Sequence, residues 1–145
     1  MKKNPSNSLI VLNSDLITKV ISELGNENLT FIKNLIEELH PADTADLLET
    51  LNSEDRKKVV IIIKENFPSE TLPSMNVPIL LDIIEEFEIS HLVRMLSELD
   101  TDDITYVLEI CEEKLRKEVL KKLPKELQKL IKKALTYDED SAGRI

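Results

Sequence analysis

The side chains most able to take part in chemistry are carboxylates, and one group of them follows Leu99. Asp100, Asp102 and Asp103 lie at the predicted start of a helix. Helix capping and compensation of the helix dipole account for Asp102 and Asp103 without any ligand. The alternative role of these carboxylates is to bind Mg²⁺, because this hard ion dehydrates reluctantly and is held by one or two carboxylates and several waters. The residues alone leave both interpretations open.

A second acidic cluster lies near the end of the chain. Asp138, Glu139 and Asp140 follow Tyr137. From the residues alone we expect a poorly structured acidic segment, and its plain interpretation is a solvated linker.

No other set of residues has the spacing of a catalytic or metal centre. The chain offers no nucleophile beside a base, no glycine-rich phosphate loop and no zinc-ligand spacing. His40 is expected to have a structural role at a helix entry, and His91 to be a surface or capping residue. Cys111 is the single cysteine, which excludes an intrachain disulfide and predicts a buried structural thiol. An enzyme is therefore not expected.

The composition predicts one helical domain with an aliphatic core. The 145 residues are 41% hydrophobic but only 3% aromatic, with no Trp and two Gly. So few glycines leave little room for hairpin turns. The longest apolar run, Val59 to Ile63, is far shorter than the roughly 20 residues that span a bilayer. No signal peptide is recognisable, and we expect a soluble, intracellular chain without direct membrane insertion.

Charge is unevenly distributed along the chain. Glu112 to Lys133 contains nine basic and four acidic residues, a net charge of +5. Because the whole chain has a formal charge of −9, the rest of the chain has a net charge of −14. These helices either carry solvated i,i+4 ion pairs or meet an acidic partner. Nucleic acid is not expected to be that partner, because no aromatic residues are interleaved for base stacking.

A repeat of twelve residues predicts how the helices are organised. Apolar residues recur at every twelfth position in a first column, which consists of Leu39, Leu51, Ile63, Met75, Phe87, Leu99, Cys111, Leu123 and Leu135. A second column lies eight residues after each, and Thr71 is its one polar member: Leu47, Val59, Thr71, Ile83, Met95, Val107, Val119 and Ile131. Units of one short helix and a tight corner cannot bury their apolar stripes alone, so the repeat predicts an all-α solenoid rather than a closed bundle of long helices.

Capping residues predict the helix boundaries. Ser14 is expected to cap a first helix that Gly25 ends, and Asn28 to cap a second. Later starts are expected at Pro41, Ser53 with Glu54 and Asp55, Thr101 with Asp102 and Asp103, and Pro124 with Glu126. The helices should be shortest where prolines crowd between Phe67 and Pro78. The predicted organisation is a flexible segment at 1–13, a helical domain at 14–136 and a linker at 137–145.

Two motifs resemble a known family. His40-Pro41-Ala42-Asp43, with Ala45 to Glu49, resembles the signature that opens the cytosolic N-terminal domain of the MgtE magnesium channels and transporters. Tyr137 to Ile145 is similar to the segment that joins this domain to a pair of CBS domains. The resemblance implies a right-handed, armadillo-like superhelix in the cytoplasmic part of an inner or plasma membrane protein that is a homodimer at full length.

The resemblance also implies a function. Such a domain senses intracellular Mg²⁺ through surface carboxylates and docks on the CBS domains to favour the closed pore formed by the transmembrane domain. Asp102 matches an acidic family residue that binds Mg²⁺ at this face, with Asp100 and Asp103 beside it. Asp138, Glu139 and Asp140 would lie near the interface, whereas Ser74 or a neighbouring residue falls where the family has another acidic residue. The alternative function is a protein-binding solenoid without metal sensing.

Overall fold

The computed structural model describes residues 10–140, with side chains described to residue 135. All regular secondary structure in this range is helical, which confirms the all-α prediction. The α-helices are α1 Ser14–Gly25, α2 Leu29–Glu38, α3 Pro41–Thr50, α4 Ser53–Ile63, α5 Val77–Ile84, α6 Ile89–Ser97, α7 Thr101–Ile110, α8 Glu113–Lys122 and α9 Lys125–Asp140.

The chain divides into two compact units, Met1–Glu86 and Phe87–Ile145. In the first unit α2 packs on α4, α1 packs on both, and α3 packs on α4 and on a 3₁₀ helix at Ser69–Ser74. In the second unit α6 packs on α8 and α7 packs on α9. Several of these contacts pair alternate helices, as stacked units of one helix and a corner require. The superhelical course of the chain stays a prediction.

The apolar residues of the two twelve-residue columns form a large part of the core. Every member of the second column is buried, including Thr71, whose hydroxyl has no hydrogen-bond partner within the described part of the chain. The first column is also buried as far as Leu123, and Leu135 is half-buried. Leu39, Leu51, Cys111 and Leu123 each follow the last residue of a helix. The first column therefore consists largely of the corner residues, which the chain buries each time it turns.

One predicted N-cap is wrong by one residue, whereas the predicted helix start at Ser53 is confirmed. Asn13, not Ser14, caps α1, and its Oδ1 accepts a hydrogen bond from the Leu16 N–H at 2.9 Å. α4 begins at Ser53, as predicted, and the Oδ1 of its N-cap Asn52 accepts from the Asp55 N–H at 2.8 Å. In both cases the asparagine oxygen reaches the third helical N–H, so the serine that follows becomes the first helical residue. Asn28 caps α2 as predicted.

α1 ends at Gly25, as predicted, but Gly25 is not its C-cap, which is Asn26. Gly25 is helical, and the left-handed residue is Glu27 with φ 56°. Glu27 N–H donates to Leu24 O at 3.1 Å and Asn28 N–H to Glu23 O at 3.0 Å. These two bonds form a Schellman motif, in which a left-handed residue closes the helix after its C-cap. The chain therefore turns two residues later than glycine content alone suggests.

The segment rich in proline is irregular, as predicted. Short 3₁₀ helices at Lys64–Asn66 and Ser69–Ser74 replace a regular α-helix there, and the second contains Pro73. A proline inside an α-helix would remove an i,i−4 hydrogen bond, whereas a short 3₁₀ segment accommodates it.

Candidate functional site

The His40 motif builds a corner of the first unit. His40 is the N-cap of α3, and its Nδ1 accepts a hydrogen bond from the Ala42 N–H at 3.1 Å, while Pro41 occupies the first turn. At the other end of the motif, the Glu49 carboxylate accepts from the Asn76 N–H at 2.6 Å, just before α5. The motif therefore positions helices, in agreement with the structural role expected for His40.

Arg56 is a buried charge that the sequence reasoning missed. Its Nε donates to Leu48 O at 2.7 Å and its Nη2 to Leu51 O at 2.8 Å. These carbonyls lie at the end of α3, where backbone acceptors lack helical partners and the helix dipole is negative. Arg56 thus joins the first turn of α4 to the end of α3.

The structure places Asp100, Asp102 and Asp103 together at the start of α7. α7 begins at Thr101, as predicted; Asp100 is its N-cap, and Asp102 and Asp103 lie in the first turn. Asp100 and Asp102 are exposed and Asp103 is half-buried. The Asp100 carboxylate accepts no capping hydrogen bond from the helix. Buried Leu99 and Ile104 fix the backbone on either side, so the carboxylates stand on an anchored turn.

Asp100 belongs to a third column of twelve-residue spacing that the sequence reasoning did not identify. The N-caps of α6, α7 and α8 are Glu88, Asp100 and Glu112, all exposed and all without a side-chain capping bond. In the first unit, the corresponding asparagines Asn28, Asn52 and Asn76 do cap their helices. The second unit therefore presents acidic groups at successive helix starts where the first unit uses neutral caps. The signal was available in the sequence as an acidic residue after each corner residue.

The α7 carboxylates do not by themselves form a metal site. Among the described side chains, which end at residue 135, no group of three or more His, Cys, Asp and Glu is arranged to hold a metal ion. Solvent-exposed carboxylates not engaged in capping can each supply one oxygen to a hydrated ion, as Mg²⁺ accepts in proteins.

The other predicted site residues are placed as follows. Asp138, Glu139 and Asp140 fall within the backbone of α9, although a linker was expected from residue 137, and their side chains lie outside the described set. The Ser74 hydroxyl donates to Glu70 O at 3.4 Å and is exposed.

A groove of about 230 Å³ in the first unit is lined by both charge signs. Its carboxylates include those of Asp82 and Glu86, which lie 4.0 Å from the Arg56 Nη1 and 3.9 Å from the Lys57 Nζ respectively. The positive charges of Arg56 and Lys57 reduce the attraction of the groove for a free metal ion.

His91 and Cys111 have structural surroundings. The His91 ring is half-buried and stacks edge-on against Phe87 with 4.9 Å between centroids, and its Nε2 lies 2.8 Å from Arg94 Nη2. Cys111 is a buried free thiol, as expected, and burial raises its pKa to about 11. A thiol with so high a pKa is a poor nucleophile at neutral pH.

Among residues 10–140, no helix has the length and apolar character that crossing a bilayer requires.

Comparison with known proteins gives one match. A family described as the MgtE intracellular N domain matches residues 39–140. No curated protein and no solved structure matches the chain. The matched range begins at the corner residue before the His40 motif and ends with the last residue of α9.

Proposed function

The chain belongs to the MgtE intracellular N domain family, and we propose that it senses intracellular Mg²⁺ through surface carboxylates and docks on CBS domains to favour the closed pore. The family consists of regulatory cytosolic domains of magnesium transporters and is not a family of enzymes. Family membership does not by itself identify the residues that respond to the ion or the mechanism of the response.

The start of α7 is the observation that carries the proposal. Asp102 is exposed in the first turn, and Asp100 beside it is an exposed N-cap whose carboxylate makes no capping bond. A carboxylate without a capping bond keeps its oxygens available for a hydrated cation. Asp103, which is half-buried in the same turn, adds to the negative potential there.

The proposed mechanism is electrostatic bridging. When Mg²⁺ is scarce, the α7 carboxylates and an acidic CBS surface repel each other. When it is plentiful, a hydrated ion bound by oxygens from both surfaces offsets that repulsion. The ion binds the docked arrangement more tightly than the separated one, so a rising Mg²⁺ concentration shifts the population towards the docked, closed state.

The test compares Asp102→Asn with Asp15→Asn in the full-length transporter. Asp15 is an exposed first-turn acid of α1, so it controls for the general loss of a helix-start charge. Protease protection is titrated with Mg²⁺. We expect Asp102→Asn to raise the midpoint concentration roughly threefold to tenfold, which corresponds to about 1 kcal/mol of lost bridging, and Asp15→Asn to leave it unchanged.

Both variants should remain folded, because a first-turn acid contributes only about 0.3–1 kcal/mol to helix stability. Coincident Mg²⁺ titrations for folded Asp102→Asn and wild type would show that Asp102 has no role in sensing. If protease protection of the wild type does not change with the Mg²⁺ concentration, the result would instead favour a protein-binding solenoid without metal sensing.

A further inference from the structure

The last helix carries a lysine face that no part of the proposed function uses. Lys125, Lys129, Lys132 and Lys133 of α9 are all exposed. Their spacing of i, i+4, i+7 and i+8 places them on one side of the helix, within an arc of about 100° around its axis. Ile131, which is fully buried, lies on the opposite side and fixes the orientation of the helix in the second unit. We call these four residues the lysine face.

The lysine face does not serve the stability of its own helix. In the described part of the chain none of its four ammonium groups forms an ion pair, whereas Lys117 of α8 pairs with Glu113 at 3.0 Å. Lys125 and Lys129, and Lys129 and Lys133, are like charges at i,i+4, an arrangement that destabilises a helix. Lys125 also lies at the positive end of the helix dipole. The expectation of i,i+4 pairs thus holds for α8 and fails for this face.

Two further lysines extend the basic surface. Lys121 and Lys122 are exposed at the end of α8. The Gln128 Nε2 donates to Lys121 O at 3.1 Å and to Leu123 O at 2.7 Å, which ties the first turn of α9 to the end of α8. Leu130, 52% exposed, adds apolar surface next to Lys129.

The residue types indicate which anionic partner fits. Protein interfaces are depleted in lysine and enriched in arginine and aromatic residues, and arginine is preferred where phosphates are bound bidentately. The stretch from Lys121 to Lys133 contains neither arginine nor an aromatic residue, and stacking of nucleic-acid bases requires aromatic residues. Clustered lysines on an amphipathic helix, acting as point charges, are typical of attachment to an anionic lipid surface.

We propose that the lysine face attaches the second unit peripherally to bilayers that contain anionic phospholipid, with Leu130 contributing contact at the headgroups. The attraction acts across a surface rather than at one pocket, so it requires neither fixed geometry nor a metal ion. It does not depend on magnesium sensing by the α7 carboxylates, and either proposal can fail without the other.

The experiment is co-sedimentation of the chain with unilamellar vesicles, in chelator and at low salt so that no divalent cation bridges acidic groups. Vesicles of equimolar phosphatidylglycerol and phosphatidylcholine are compared with pure phosphatidylcholine. Each lysine near an anionic surface contributes roughly fivefold to partitioning. We expect binding to the anionic vesicles alone, release at high salt, and at least a tenfold loss of binding when all four residues of the lysine face are changed to Gln.

A matched control changes four exposed lysines of the first unit to Gln and alters the net charge equally. These are Lys19, Lys33, Lys57 and Lys58. The control should bind as the wild type does, and far-UV circular dichroism should show that both variants are helical. Equal losses in the two variants would attribute the binding to net charge and overturn the proposal. Failure of the wild type to bind anionic vesicles while it binds immobilised polyglutamate would assign the lysine face to an acidic polypeptide.

Discussion

Replacing Arg56 with Met tests whether the corner between α3 and α4 depends on this buried guanidinium. Arg56 is 8% exposed and donates to Leu48 O and Leu51 O at 2.7 and 2.8 Å. Met retains much of the aliphatic volume but none of the donors, so both carbonyls lose a charged partner. We expect the free energy of unfolding to fall.

The magnitude follows from these bonds. A hydrogen bond to a charged group contributes about 1.5–3 kcal/mol, and water reaching the vacated carbonyls would return part of it. The ion pair with Asp82 adds little, because it spans 4.0 Å and the Asp82 side chain is 66% exposed. The expected loss for Arg56→Met is therefore about 3 kcal/mol.

Urea denaturation followed by far-UV circular dichroism measures this loss, and two variants serve as controls. Asp82→Asn should cost less than about 0.5 kcal/mol, since only the exposed ion pair is lost. Arg56→Lys should fall between Arg56→Met and wild type, because one ammonium cannot reproduce the planar guanidinium geometry. A loss below about 1 kcal/mol for Arg56→Met, or an equal loss for Asp82→Asn, would refute the assignment of Arg56 to the end of α3.

Three further predictions concern the core, a helix end and the buried thiol. Leu48→Ala and Leu99→Ala should each lower the free energy of unfolding by about 2–4 kcal/mol, measured in urea, since both side chains are buried. Losses below about 0.5 kcal/mol at both sites would show that the residues of the repeat do not form the core. Glu27→Gly should stabilise it by about 0.5–1 kcal/mol, because glycine adopts the left-handed conformation without strain, and a lower urea midpoint would contradict this. Burial raises the Cys111 pKa from 9.0 to about 11, so folding favours the neutral thiol and stability falls as pH rises from 9 towards 11. Cys111→Ala should lack this component, at most about 2–3 kcal/mol, and identical pH profiles of unfolding would disprove it.

Local features of the chain made much of the fold predictable. The twelve-residue spacing identified the buried residues correctly as far as Leu123, because each unit of helix and corner has to bury the same two positions. Asn28 and Pro41 marked helix starts because capping depends on groups within one turn. The same local reasoning failed at Ser14, where the preceding asparagine supplies the cap, and it did not identify Glu27 as the left-handed residue that follows α1.

For the candidate site, the sequence determined which carboxylates occur at the start of α7 and the family to which the chain belongs. Whether Asp100 caps its helix could not be read from its type, since aspartate is among the best capping residues and here makes no such bond.

The amino-acid sequence by itself thus determined the helices, their period and the residues that must be buried, because these depend on neighbours within a turn or two. Only the tertiary structure decided how the Glu49 carboxylate meets the Asn76 N–H across 27 positions, and how Arg56 finds two carbonyls of the preceding corner. It also decided that, within the part of the chain that the structure describes, the lysine face forms no ion pair with a carboxylate. Such contacts depend on which helices pack together and at what angle, a property of the assembled core that no local pattern of residues contains.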